Sequence, residues 1–366
     1  MKKYAYIIIL YLYLMASPPL SFSMNNPTNR IILNIAIYGD KHSDKASVLS
    51  LIELIRRINS SYEDLTLKYH IITLDDIEKD SFPLLYDVLI IPEGESAREY
   101  IKLFRGNRLE SLKSFLAQGG GLICISSAAY AFAKEIHYYG SNETYQGLSL
   151  ATHVIAICTN YMGNVTLVAE NNTNLISNIT LSETNGPVMR ISYPAISLFK
   201  LYDVQKAGGV IVHMLSYPMI VLDFYDDSRI ILVGPRIDLS NDPELLMFLI
   251  LYAVGILPVP NPMIIEKKLS LAKKLFENYK DRITHLEYRR IYAKLELADN
   301  LTSFNDYTSA IRIILSVLAE LREKMLSITS KEQEYRFIAT MILSLVPLAL
   351  LCTVMVSYSV RKYRKY

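Results

Sequence analysis

Two serines, Ser126 and Ser127, interrupt the run "GGGLICISSAAYAFA" between Gly119 and Ala133. Three glycines lead into a short apolar stretch, and an alanine-rich segment follows the serines. Strand, tight turn and helix in that order is where many α/β enzymes present a nucleophile. A serine nucleophile also needs a base to take its proton and N–H donors for the oxyanion. Of six histidines, His213 in "VIVHML" is the candidate base, because its strand can lie beside that of Ser126. A histidine on a sheet face is the competing reading. His42, His137 and His153 read as surface or loop residues, and His285 falls in a charged helical region. Cys124 shares the face of Ser126 two residues deeper in the strand, where a thiol is inert. No HExxH motif, CxxC pair or carboxylate–histidine cluster points to a metal. The glycines precede no GK[ST], so no phosphate loop forms, and no cofactor is expected.

Several elements must position these residues. "IILNIAIYGD" (31–40) reads as a buried parallel strand, and "SVLSLIELIRRI" (47–58) as a helix with Leu49, Ile52, Ile55 and Ile58 on one face. "YHIITLD" (69–75) and "YDVLIIPEGES" (86–96) read as further strands. A helix is expected over 96–121, "LICIS" as the next strand, and a helix over 128–136. This alternation predicts an α/β fold, a flavodoxin-like doubly wound and mostly parallel sheet, with its working edge at the strand C-termini. "HVIAIC", "NVTLVA", "GVIVHML", "PMIVLDFYDD" and "SRIILVGP" are later strand candidates, the last two forming a hairpin at Asp226-Asp227-Ser228. A helix is expected over 243–254. "GILPVPNP" (255–262) marks a boundary, and 263–335 predicts a helical stalk or hairpin, serving as a spacer or as a dimerising or partner-binding element.

Four segments, in order, resemble the class I glutamine amidotransferase-like domain of the biotin-protein ligase N-terminal type: "IIPEGES", "GGGLICISSAAY", "TNGPVM" and "IILVGPRID". They span 30–257. The resemblance implies a cysteine at the elbow, a histidine with a carboxylate partner, and oxyanion donors at the elbow and at a P-G-G turn. Here the cysteine position holds Ser126, the histidine position Arg236, the acid position Asp238, and the middle of the turn Glu93. A protonated guanidinium cannot accept a proton, and Glu93 adds negative charge where an oxyanion would form. The polar set Glu93, Glu95, Ser126, Ser127, Asn185, Arg236 and Asp238 then suits a small polar or zwitterionic ligand, or else a structural pair of Arg236 with Glu93 or Asp238. The expectation is a pseudo-amidotransferase domain acting in binding, sensing or surface assembly, with a small polar ligand or a surface protein as partner. The alternative is a divergent serine hydrolase or amidase using Ser126 and His213.

The two ends add a topology. Residues 1–23 read as a signal peptide: two lysines, an apolar run, then small residues. Residues 337–360 carry no charge and suffice for a transmembrane helix across a core of roughly 30 Å at about 1.5 Å per residue. The basic tail 361–366 would stay cytoplasmic. These ends predict a single-pass membrane protein with its ectodomain outside and the lipid bilayer as a partner through 337–360. Sequons at Asn59, Asn142, Asn164, Asn171, Asn178 and Asn300 fit a glycosylated ectodomain. Cys124 and Cys158 could form a disulfide or remain two buried thiols. A net charge of +2 over 366 residues gives no case for nucleic acid.

Overall fold

The computed structural model describes residues 30–159, 163–170, 178–184, 186–205, 214–240, 242–257 and 261–328. It begins with strand β1 (Ile31–Tyr38), helix α1 (Lys45–Ser61), β2 (Leu65–Ile72) and β3 (Val88–Ile91). Helices α2 (Ala97–Leu103) and α3 (Asn107–Ala117) follow, then β4 (Gly121–Ile125) and the short α4 (Ser127–Phe132). The chain then becomes strand-rich: β5 (Ala133–Tyr138), β6 (Thr144–Gln146), β7 (Ala151–Cys158), β8 (Gly163–Ala169) and β9 (Asn178–Thr184). Next come β10 (Val188–Ile191), β11 (Ile196–Gln205), β12 (Pro218–Tyr225) and β13 (Ser228–Val233). Helices α5 (Pro243–Val254), α6 (Pro262–Tyr279), α7 (His285–Ser303) and α8 (307–328) complete the described chain.

The main sheet has nine strands in the order β2-β1-β3-β4-β13-β12-β11-β8-β9. From β2 to β13 every pairing is parallel; from β13 to β9 every pairing is antiparallel. The sheet is therefore mixed, which corrects the expected mostly parallel one. Strands β2-β1-β3-β4-β13 form its parallel half, and the hairpin strands extend it. A second sheet, β10-β7-β5-β6, covers part of one face. Alternation along β1 shows the layering. Leu33, Ile35 and Ile37 enter one apolar cluster with α1, α5 and the C-terminal helices. Ala36 and Tyr38 enter the other, with α2, α3, α4 and the small sheet.

Local chemistry explains two departures from expectation. The helix predicted over 96–121 is broken into α2 and α3 at Gly106, whose φ of 65° a β-carbon would resist. The helix predicted over 128–136 stops at Phe132. Ala133 is already extended, and β5 is claimed by pairing with β6 and β7. His137 and His153 accordingly lie on strands rather than in loops.

Among the described residues no helix is long and apolar enough to cross a membrane. The apolar α5 has only 12 residues, or about 18 Å at about 1.5 Å per residue, and is buried against the sheet. The longer α6 and α7 carry charged faces. The expected transmembrane helix, the bilayer as partner and the single-pass localisation with its outside ectodomain are corrected on this finding. Residues 337–360 lie outside the described residues, as do the leader 1–23 and the tail 361–366. The region after 261 packs on the sheet: Ile265, Leu269, Ala272, Ile314, Leu318 and Leu321 share the apolar cluster of β1 and α5.

Candidate functional site

Four adjacent parallel strands deliver the site. The loops after β1, β3, β4 and β13 bring in Asp44, Glu93, Ser126 and Arg236, all at the C-terminal edge. The turn after β4 is tight because Ser126 adopts φ 53° and ψ −108°. That left-handed geometry costs a residue with a β-carbon of the order of 1–3 kcal/mol, and it is the shape of a nucleophile elbow. The Ser126 N–H donates to the Val233 carbonyl at 2.7 Å, holding the elbow to the end of β13. Behind it, a β-carbon on Gly121 would fall 2.5 Å from the Ala253 carbonyl oxygen, so the glycine lets α5 close on the strand.

What surrounds the elbow is not an open catalytic centre. Ser126, Ser127, Glu93 and Asp238 are all buried. The Ser127 N–H donates to Glu93 Oε2 at 3.0 Å, and the Ser126 side chain is also hydrogen-bonded to the Glu93 carboxyl. The Gly94 N–H donates to Ser127 Oγ at 2.8 Å. These two backbone donors, after the elbow and in the turn after β3, are the groups that would stabilise an oxyanion. Both are satisfied from within the chain. Gly94 is itself confined: a β-carbon there would lie 2.3 Å from the His42 carbonyl oxygen.

Charge is arranged around Arg236. Its Nη2 donates to Asp238 Oδ2 at 2.7 Å and to Asp44 Oδ2 at 2.9 Å. Asp238 is fully buried, and Asp44 is one-third exposed. Burial alone would pull the guanidinium down. The Asp238 hydrogen bond and the charges of Asp238, Glu93 and Asp44 outweigh it and hold Arg236 above its ordinary range. Burial raises the Glu93 carboxyl above the ordinary carboxylate range, against its bonds to Ser126 and Ser127 and the attraction of Arg236. Three carboxyl groups, those of Glu93, Asp44 and Asp238, thus surround one guanidinium.

Of the residues singled out in the sequence, Ser126, Ser127, Glu93, Arg236 and Asp238 come together. Glu95 does not join them; it is exposed and bonded to His42 Nδ1 at 2.7 Å. Asn185 and His213 lie outside the described residues. The structural pair that the sequence offered between Arg236 and Asp238 is present, but the second carboxylate is Asp44. Asp44 caps α1 by accepting the Ala46 N–H at 3.0 Å, and an aspartate just before a helical pattern was a readable signal. Another pair escaped the sequence reading. His153 Nδ1 sits 2.9 Å from Oδ1 of the fully buried Asp223, two residues with 69 others between them.

Cys124 and Cys158 are not joined in a disulfide; the first is fully buried and the second partly so. Burial pushes the Cys124 thiol well above its ordinary range. Among the sequon asparagines, Asn59 spends its amide on the backbone of Leu67, with bonds of 2.7 and 3.0 Å. Asn142 and Asn300 are exposed, Asn164 is half-buried, and the side chains of Asn171 and Asn178 lie outside the described residues. Among the described residues, no group of three or more histidine, cysteine or acidic side chains is placed to hold a metal ion.

No protein-family model and no curated protein matches the sequence. Solved structures similar to it include a ThuA-like protein from Bacteroides uniformis, at 14% identity and a TM-score of 0.42, covering 65% of this chain and 95% of that one. A ThuA-like protein from Parabacteroides merdae aligns at 12% identity and a TM-score of 0.39, over 62% of this chain and 90% of its own. The glutaminase domain of a Trypanosoma brucei CTPS aligns at 9% identity and a TM-score of 0.34, over 61% and 93%.

Proposed function

We propose that residues 30–257 form an amidotransferase-like domain that has given up hydrolysis and serves in binding. One observation carries this reading: Glu93 and Ser127 occupy, from inside the protein, both backbone donors that an oxyanion would need. A carboxylate already accepting the Ser127 N–H competes with any tetrahedral intermediate for the same donor, and its negative charge disfavours a second anion there. Arg236 reinforces the reading. Held by Asp238 and Asp44, it stands where the resemblance implies a base, yet it keeps its proton at any physiological pH. The buried set is satisfied by its own members, so it stabilises the junction of four loops, and recognition falls to surfaces around that junction.

The test uses the purified chain with a serine-reactive fluorophosphonate probe and an assay for ammonia release from glutamine. The expected result is no labelling and no release, in the wild type and in Ser126→Ala alike. Labelling or amide hydrolysis that disappears in Ser126→Ala would overturn the proposal and establish the serine hydrolase reading instead.

A further inference from the structure

A cavity of about 350 Å³ lies away from the elbow, where the outer face of the small sheet meets the segment leading into β12. None of its lining residues belongs to the Ser126 cluster. Its floor is apolar, made of the buried Ile157 and Met214. Its rim carries Tyr138, Tyr139 and the half-buried Tyr217. Two opposite charges also line it: Arg190, from β10, and Glu143, from the turn between β5 and β6.

Those charges come from opposite edges of the small sheet, β10 and the turn into β6, and both line the cavity. Residues Val188 and Met189 at the start of β10 are fully buried, so the strand emerges at its third residue, Arg190, which is exposed. Arg190 pairs in register with Ile155 of β7, and Ile155 with Glu135 of β5. The hairpin that carries β5 on into β6 then returns Glu143 to the same cavity. His137, also on the wall, is bonded to Glu135 at 2.9 Å, which leaves Arg190 and Glu143 as the charges without an ion-pair partner among the described residues.

We propose that this cavity binds a free α-amino acid with an apolar or aromatic side chain. A guanidinium offers forked donors that match a carboxylate. A carboxylate lining the same cavity suits an ammonium group, and tyrosine faces attract the same cation. The apolar floor takes the side chain. At about 350 Å³ the cavity lies near the lower end of the roughly 300–1,000 Å³ range of small-molecule sites, which fits a single residue rather than a peptide. The inference goes beyond the proposed loss of hydrolysis and does not depend on it.

The experiment is calorimetric titration of the full chain with L-leucine, L-phenylalanine and L-tyrosine. N-acetyl-L-leucine and L-leucinamide serve as probes lacking the ammonium or the carboxylate. At least one free amino acid should bind saturably, and its acetyl and amide forms at least tenfold more weakly. Arg190→Gln and Glu143→Gln should each weaken binding of the intact amino acid about tenfold, with unchanged unfolding curves because both side chains are exposed. Ser126→Ala should bind as wild type, which separates this cavity from the elbow. Absence of saturable binding at millimolar concentration would overturn the proposal. So would binding that ignores both substitutions, or an acetylated form that binds as well as the free amino acid.

Discussion

Strand β3 carries an acidic residue at each end, and the two have opposite electrostatic fates. Asp87, just before the strand, is fully buried beside Arg322 Nη1 at 2.7 Å and Lys268 Nζ at 3.4 Å. It also accepts the Asn34 N–H at 2.9 Å. Burial would raise its carboxyl, but Arg322, Lys268 and the Asn34 bond together hold it below the ordinary carboxylate range. Glu93, beyond the other end, is buried too but is pushed up. Its bonds come from neutral donors, and its one cation is already committed to two other carboxylates. Burial is thus a shared cost, and the partners decide its sign.

The two clusters also differ in what they connect. Arg322 sits on α8 and Lys268 on α6, so the Asp87 cluster pins the C-terminal helices to the strand origins. The Arg322 side chain additionally donates from Nε to the Leu84 carbonyl at 2.7 Å. The Glu93 cluster joins loops at the edge where α/β folds place their chemistry. Deleting one member of each should expose this difference. Asp87→Ala leaves two cations buried and unpaired, with an expected loss of about 3–5 kcal/mol, measured by urea unfolding. Replacing all three members by leucine and methionine should recover most of that loss; failure to recover would show that more than charge pairing ties the helices down.

Arg236→Met is expected to cost less, about 1–3 kcal/mol for the acceptor it strands. Asp238 is buried, but Asp44 is one-third exposed and can turn to water. A loss as large as that of Asp87→Ala would mean that the edge cluster is as structural as the one at the strand origins.

The elbow supplies a third, smaller contrast. Ser126→Ala removes the hydroxyl but keeps a β-carbon at φ 53°, whereas Ser126→Gly removes both. In ordinary backbone the glycine variant would be the weaker by roughly 0.5–1 kcal/mol. Here it should be the more stable of the two, by about 1 kcal/mol. Thermal unfolding of the pair checks this, and an alanine variant more stable than the glycine variant would refute strain at the turn.

Much of this architecture was readable in the chain because it is local. The β1 run, the 243–254 helix and the glycine-led elbow declare themselves within a dozen residues; the α1 stripe does so at Ile52, Ile55 and Ile58 but not at Leu49, which is exposed while Val48, Leu51 and Leu54 take the buried face. Residues 133–136 misled because an alanine-led stretch has helical propensity, while pairing with β6 and β7 decides its state. The site was readable only as far as the motifs reached. Glu93, Ser126, Arg236 and Asp238 stood at marked positions. Asp44 stood where a helix cap could have been read, but nothing in the sequence marks it as a partner of Arg236, 192 positions away. The Asp87 cluster left no mark, since Lys268 and Arg322 look like surface charges in helices until those helices are packed. Pairings at such separation have no periodic signature.

The last contrast lies in the direction of pH dependence. A carboxyl whose folded pKa is raised binds its proton more tightly in the native state. Its contribution is therefore greatest below the unfolded value, about 4.3 for glutamate, and is lost as pH rises through the folded value. A carboxyl held low contributes above its unfolded value, and that contribution is lost as pH falls. Glu93 belongs to the first kind and Asp87 to the second, so the two ends of β3 should tilt the stability profile in opposite directions. Glu93→Gln keeps an oxygen to accept the Ser127 N–H and removes the titration. Relative to wild type it should gain stability as pH rises from about 4.3 toward neutrality, read as a widening difference in urea midpoint. Asp87→Asn should show its deficit shrinking below about 3.9, where the unfolded aspartate regains its proton. Parallel profiles for Glu93→Gln and wild type would mean that Glu93 titrates as an ordinary carboxylate, and that Arg236 serves it as well as Arg322 serves Asp87.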